Sequence, residues 1–316
     1  MNNPELPKIV IICGPTGVGK TEFAIRLAQR FGGQIVGADS MQIYRRMDIG
    51  TAKPTTEEQA SVCHHMVDIV DPDEPFDAAE YGQRAGAVIQ GLIAQDRTPF
   101  VVGGTGLYIK ALVFGLFQAR TAEPEARRRL KAQLAQEGPA GLHARLTRLD
   151  PQAATRIHRN DAYRILRALE VFECTGRPIS DHHGSHGFAQ FRYQTLTIGL
   201  TLPREQLYAR IDQRVEAMLA AGLLEEVRGL LTSGYDPGLK SMQALGYRHM
   251  ADYLQGRLTW EETLRILKRD HRRYAKRQFT WFNAVAGIRW MLPDQVDDAV
   301  AMVATFLLRT PADNFK

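Results

Sequence analysis

The chain has 316 residues, 44% of them hydrophobic, enough to bury a substantial core in two structural units, which excludes a disordered chain. Its formal charge of +5 is modest but unevenly placed: between residues 265 and 277 seven Lys or Arg face a single acid, Asp270, and residues 120–148 and 156–167 are also basic. Basic helical segments suit a polyanion such as nucleic acid, and no aliphatic run nears the roughly 18 residues of a membrane span, so a membrane partner is excluded.

In chain order, the run Lys8-Ile-Val-Ile-Ile-Cys13 is continuous and β-rich, as expected of a strand buried on both faces of a parallel sheet. It opens onto a glycine loop. Phe23, Ala24, Leu27 and Ala28 then recur at helical spacing up to the stop at Gly32 and Gly33, and residues 34–38 read as a second buried strand, completing a βαβ start. A helix predicted over residues 78–94 leads to a third strand, 99–103, which ends in Gly103, Gly104, Thr105 and Gly106. Arg- and Ala-rich helical periodicity follows, broken at Gly138-Pro139 and Asp150-Pro151, with no convincing strand. A strand pattern returns at 195–200, a helix opens at Pro203 and runs to 219, and further helices are expected over 223–231, 260–283 and 295–308.

The expected fold class is α/β: a P-loop NTPase-like parallel sheet core flanked by helices, with a helical insertion domain. Residues 1–117 and 190–316 are expected to form the core, and residues 118–189 the insertion. His182, His183 and His186 sit in a Gly- and Ser-containing stretch that reads as a solvated loop between the units. Cys63, His64 and His65 lack the spacing of a metal site. Three scattered cysteines and the lack of an export signal point to the reducing cytoplasm.

Residues 14–21, Gly-Pro-Thr-Gly-Val-Gly-Lys-Thr, match G-x-x-x-x-G-K-[ST] in the required context, between a buried strand and an amphipathic helix. Glycines at 14, 17 and 19 let backbone N–H groups turn toward phosphate oxygens, and the helix dipole adds to them. Lys20 supplies a point charge, while the Thr21 hydroxyl is suited to ligating Mg2+. The loop does not say whose phosphates these are. A nucleoside triphosphatase wants an acid after a second apolar strand. Strand 99–103 ends in glycines instead, and the carboxylate follows strand 34–38, as Asp39. A carboxylate free to take a proton beside a held diphosphate is a different device.

At Asp39-Ser-Met-Gln-Ile-Tyr44 the chain resembles the bacterial tRNA dimethylallyltransferases, also called tRNA isopentenyltransferases. The likeness continues through Asp48-Ile-Gly-Thr-Ala-Lys-Pro54, His64-His65, Asp71, Gly103-Gly-Thr-Gly-Leu-Tyr108 and Asp161-Ala-Tyr-Arg-Ile-Leu-Arg-Ala-Leu-Glu170. It ends with Gln243-Ala-Leu-Gly-Tyr-Arg248 and Tyr274-Ala-Lys-Arg-Gln-Phe-Thr-Trp281. Tyr163 departs from the pattern, standing where many relatives carry Gln.

The resemblance implies transfer of a dimethylallyl group from dimethylallyl diphosphate to N6 of adenosine 37, beside the anticodon of tRNA, with Mg2+. An exocyclic adenine amine is a weak nucleophile, so a base must take its proton, and Asp39 looks like that base. Support of Mg2+ through water stays open as its other role. The catalytic set is then Asp39, Lys20, Thr21 and Arg214, with Thr21 on the metal. Gly14, Thr16, Gly17, Val18, Gly19, Lys20 and Thr21 would hold the diphosphate.

The target base must be flipped out of its loop. Asp39, Ser40, Met41 and Gln42 would meet it, with Gln42 presenting both a donor and an acceptor and Thr105 on the other side. The resemblance also assigns Arg127, Tyr163, Arg164, Ile165, Leu166 and Arg167 to contact with the tRNA anticodon stem-loop. Gln243, Ala244, Leu245, Gly246, Tyr247 and Arg248 form a second such group. Ala275, Lys276, Arg277, Gln278, Phe279, Thr280, Trp281 and Phe282 form a third, and a monomer is expected. Three rivals stand beside this reading: a P-loop kinase or ATPase, prenyl transfer onto free AMP or ADP, and a nucleotide-sensing RNA-binding protein without catalysis.

Overall fold

The computed structural model describes residues 6–115, 124–186 and 191–308. The chain forms two compact units, one of Met1–Val113 with Arg192–Lys316, the other of Phe114–Phe191.

The first unit starts with β1 (Lys8–Cys13), α1 (Lys20–Arg30) and β2 (Gln34–Gly37), followed by the short α2 (Thr56–Ser61) and β3 (His64–His65). The helix α3 (Ala78–Ala94), β4 (Pro99–Gly103) and α4 (Gly106–Phe114) come next. The second unit is helical among its described residues: α5 (Pro124–Leu149), α6 (Pro151–Arg156), α7 (Ala162–Thr175) and α8 (Ile179–His186). The chain then returns with β5 (Gln194–Leu200), α9 (Arg204–Ala220), α10 (Leu223–Thr232), α11 (Tyr247–Leu254), α12 (Trp260–Asn283), β6 (Arg289–Met291) and α13 (Val296–Leu308).

The six strands form one parallel sheet in the order β3-β2-β4-β1-β5-β6. β1 lies between β4 and β5, with five of its six residues fully buried, which accounts for its unbroken apolar run. Phe23, Ala24, Leu27 and Ala28 press α1 onto the sheet with Val10, Ile12, Phe100 and Ile198. Because β2, β4 and β1 are neighbours, their carboxyl ends bring the turn at Asp39, the Gly103 turn and the loop after Cys13 side by side. That is where open parallel sheets place their sites.

In the second unit Leu130, Leu142, Leu146, Ile165 and Leu169 make a separate core. Gly138, with φ +69°, breaks α5 as expected, and buried Asp150 caps α6 by accepting from Ala153 N–H at 2.9 Å. The stretch expected to be a histidine-bearing loop is instead the helix α8. His182 is buried there, 3.2 Å from the Thr175 hydroxyl, because a ring that finds a polar partner packs inward rather than into solvent.

Candidate active site

Three glycines of residues 14–21 take left-handed conformations, Gly14 at φ +144°, Gly17 at +80° and Gly19 at +99°. Gly19 caps α1 without a side-chain bond, so the helix's first N–H groups remain directed at the loop's interior. Val18 buries its side chain in the core and offers only its backbone. Lys20 folds back so that Nζ donates to the Pro15 carbonyl at 2.8 Å. Burial, aided by the nearby Arg214 charge and opposed by Asp39, brings the Lys20 ammonium down to about 8.

One expected diphosphate residue, Thr16, lines the cavity but has its backbone N–H engaged. The N–H of Thr16 donates to Gln278 Oε1 at 2.8 Å, so it is already spoken for. Gln278, expected at the tRNA surface, is buried, with Nε2 donating to the Gly104 carbonyl at 3.0 Å. A buried amide with both ends engaged braces the loop rather than reading RNA.

Asp39 follows β2 and sits in a tight turn, where Oδ1 accepts from Met41 N–H at 2.8 Å and Gln42 N–H at 3.4 Å. Its charge acts on Lys20, Arg214, Tyr108 and Tyr274 alike, which places the carboxylate among them. The backbone supporting it approaches closely: a Cβ on Gly103 would lie 2.1 Å from the Ala38 carbonyl oxygen. Thr105 ties the turn down, its N–H donating to Ala38 O at 3.1 Å and its hydroxyl accepting from Ser40 N–H at 3.0 Å and bonding Tyr274. Gln42 spends its amide nitrogen on the carbonyls of Thr51 and Ala52, at 3.3 and 2.9 Å. Its oxygen is what remains for a base, so the expected double readout reduces to a single acceptor.

These residues share a cavity of about 730 Å³, lined by Lys20, Thr21, Asp39, Met41 and Gln42, and across from them by Arg210, Arg214, Arg248, His271 and Tyr274. Arg214, on α9, leaves its Nε buried and unpartnered. Ala244, Leu245 and Arg248 also reach the cavity. Gln243 is exposed and Arg248 pairs with Asp270 at 2.5 Å. Gly246 and Tyr247 are corrected to interior positions: Tyr247 is fully buried and donates its hydroxyl to Glu226 at 2.5 Å. That same Glu226 carboxylate accepts from the N–H groups of Asp48, Ile49 and Gly50.

On α12, Lys276, Arg277, Thr280 and Trp281 are exposed, whereas Ala275 and Phe282 are buried and Phe279 packs on Trp290, so these last three serve the fold. Trp281 covers Gly106, where a Cβ would come within 2.0 Å of the indole nitrogen.

In the second unit, Tyr163 is 75% exposed and Arg127 and Arg164 lie open to solvent, each with one acidic neighbour, Glu170 and Asp161. Arg167 also pairs with Glu170, at 3.5 Å. Ile165 is corrected to the core of this unit, with Leu166 packed against it, because a helix keeps only one face wet.

Several cavity residues escaped the sequence reading. Arg210 stands four residues before Arg214, a spacing that puts both on one face of α9, and this signal was available. Lys53 is nearly buried, donating to the Tyr44 carbonyl at 2.9 Å and pairing with Asp48 and Asp68, which the sequence does not announce. His271 lines the cavity together with Tyr274 and Gln278, at positions i, i+3 and i+7 of α12.

A family model described as IPP transferase matches residues 42–285. A curated relative from Desulfatibacillum aliphaticivorans, named tRNA dimethylallyltransferase, is 52% identical over 304 residues, which cover 96% of this chain and 99% of the relative. The solved tRNA isopentenylpyrophosphate transferase of Bacillus halodurans is 40% identical with a TM-score of 0.70, over 94% of this chain and 96% of that one. A solved eukaryotic dimethylallyltransferase acting on tRNA is 28% identical with a TM-score of 0.81, over 96% of this chain and 80% of that one. Sheet, cavity and inserted helices all fall within these matches, and the chain belongs to the IPP transferase family.

Proposed function

We propose that this protein transfers the dimethylallyl group of dimethylallyl diphosphate to N6 of adenosine 37, next to the anticodon of tRNA, releasing diphosphate. The observation that carries the reading is the Asp39 carboxylate, held in one cavity with Lys20 and Arg214. The names of the relatives support it, as does a β4 that ends in glycine rather than in an acid.

The N6 lone pair attacks the allylic carbon, the carbon–oxygen bond breaks, and the diphosphate leaves with the bonding electrons. Asp39 takes the proton that N6 sheds. Lys20, Arg214 and the N–H groups of residues 17–21 face the charge that grows on the leaving group. Met41 and Gln42 meet the flipped base from the Asp39 turn, and the turn residue Gly103 forms part of the wall for the apolar tail.

The donor set fits Mg2+: the Thr21 hydroxyl lies in the cavity, and this ion is commonly held by a few protein oxygens with phosphate and water completing its shell. When bound, it would neutralise charge on the diphosphate. Exposed Arg127, Tyr163 and Arg164 of the second unit, with Lys276, Arg277 and Trp281 of α12, offer cations for phosphates and rings for stacking on loop bases. We take the protein to act as a monomer. No described helix is long and apolar enough to cross a membrane. The tRNA named in the relatives' activity supports an assignment of the protein to the cytoplasm.

The test is incubation of the protein with labelled dimethylallyl diphosphate, Mg2+ and unmodified tRNA bearing adenosine beside the anticodon. Label in RNA and released diphosphate are expected. ATP turnover without RNA labelling, or label on free AMP, would replace this reading with one of its rivals.

A further inference from the structure

The turn after Met47 contributes Gly50, Thr51, Ala52, Lys53 and Pro54 to the cavity wall. Its backbone also decides how Gln42 stands in the cavity: the carbonyls of Thr51 and Ala52 accept from Gln42 Nε2 at 3.3 and 2.9 Å. With the nitrogen held there, the amide oxygen is the end left for a base.

This turn is not kept in shape by its own residues alone. Ala52 has φ +45°, a left-handed conformation that a residue with a Cβ holds only where its surroundings impose it. The N–H groups of Asp48, Ile49 and Gly50 converge on a single anion, as successive N–H groups of a turn can. That anion is Glu226 of α10, 176 residues beyond Gly50. Its Oε2 accepts from Asp48 and Ile49 at 2.9 and 2.8 Å, and its Oε1 accepts from Gly50 at 3.2 Å. Bonds to a charged acceptor are the stronger kind.

Tyr247 completes the lock, donating its hydroxyl to Oε1 at 2.5 Å. Its ring lies on Gly50, where a Cβ would come within 2.4 Å of it. Burial first, and then the Glu226 charge, push the Tyr247 hydroxyl above its ordinary range, so it stays a donor. Glu226 itself is not among the residues lining the cavity, so it acts on the site through the turn it holds.

We infer that Glu226 is a positioning residue for recognition of the target adenine: by holding the N–H groups of residues 48–50 it sets the Thr51 and Ala52 carbonyls against which Gln42 is oriented. The inference rests on the function proposed above.

The experiment compares the full chain and its variants in three measurements. These are kcat/KM for tRNA at saturating dimethylallyl diphosphate, the binding preference for tRNA carrying adenosine over guanosine beside the anticodon, and affinity for inorganic diphosphate with Mg2+. Glu226→Ala is expected to lower kcat/KM for tRNA by roughly tenfold and to shrink the adenosine preference to that of Gln42→Ala, with diphosphate affinity unchanged. Glu226→Gln keeps one acceptor oxygen for Asp48 and Ile49 but sets an NH2 against the Gly50 N–H, and falls between wild type and Glu226→Ala. In a Gln42→Ala background, Glu226→Ala adds no further loss of adenosine preference. Losses of preference that multiply in the double variant, an unaffected Glu226→Ala, a diphosphate affinity that falls in parallel, or wild-type protein that binds both tRNAs alike would each overturn the inference. Should Glu226→Ala fail to fold, Glu226→Gln decides by the same three measurements. Wild-type protein that leaves no label in tRNA defeats the proposed function, whereas the binding preference still judges Glu226.

Discussion

Gln278 accepts a hydrogen bond at 2.8 Å from the backbone N–H of Thr16, a residue 262 positions earlier in the chain. The other end of its amide holds the Gly104 carbonyl, so one side chain of α12 clamps the phosphate loop to the turn after β4. Gln278→Leu strands the buried Gly104 carbonyl and the half-buried Thr16 N–H and is expected to cost about 2–4 kcal/mol. Denaturant unfolding measures this, and diphosphate titration should show weakened binding. A defect limited to tRNA binding would return Gln278 to the RNA surface.

Asp39→Asn keeps an oxygen for the Met41 N–H but gives up a proton acceptor. Single-turnover transfer should fall by roughly 10²–10⁴-fold with tRNA and diphosphate affinities little changed. A fall that excess Mg2+ reverses would make Asp39 a metal support instead.

Lys20 titrates at about 8 in the folded chain against an ordinary 10.5. Diphosphate affinity of the free protein should therefore decline as pH rises through 8. Ligand-free stability runs the opposite way: between pH 8 and 10.5 the unfolded chain holds the extra proton, so the Lys20 contribution to stability increases with pH. Lys20→Met should abolish both trends, as calorimetric titration and thermal melts across this window would reveal.

Lys276 and Arg277 are exposed on α12, whereas Arg272 is held by Asp212 at 2.9 Å. Lys276→Ala should make the salt dependence of tRNA affinity shallower by about one power of salt concentration, with the loss largest at low salt. Arg272→Ala should change this slope less. Equal slopes for wild type and Lys276→Ala in filter binding would remove Lys276 from the interface.

Gly103→Ala drives a methyl group against the Ala38 carbonyl, where only backbone is available to yield. A destabilisation of about 1–3 kcal/mol or more is expected. Because Ala38 precedes Asp39, transfer should fall beyond what the lost stability explains. A variant with wild-type melting temperature and rate would show that the strand ends have slack.

Much of the architecture was legible because long buried strands and amphipathic helices carry strong periodic signals, as β1 and α1 do. β3 and β6 were not, since strands of two and three residues at the sheet's two edges have no period to read. The phosphate loop and Asp39 could be placed from local context alone. Roles within a motif could not: Gln278 and Arg277 are adjacent in sequence, yet one is buried and the other exposed. His271 and Glu226 gain meaning only from distant elements that the fold delivers to them.

The pairing of β1 with β5 has a consequence for how the molecule is made. The central strand leaves the ribosome among the earliest residues, yet the neighbour on one of its flanks emerges only after the entire inserted unit has been synthesised. Until then a strongly apolar parallel strand keeps one hydrogen-bonding edge open, a condition that favours aggregation and slows closure of the sheet. A nascent chain stalled before residue 194 is accordingly expected to depend on chaperones for solubility, while one released after residue 200 can seal the sheet.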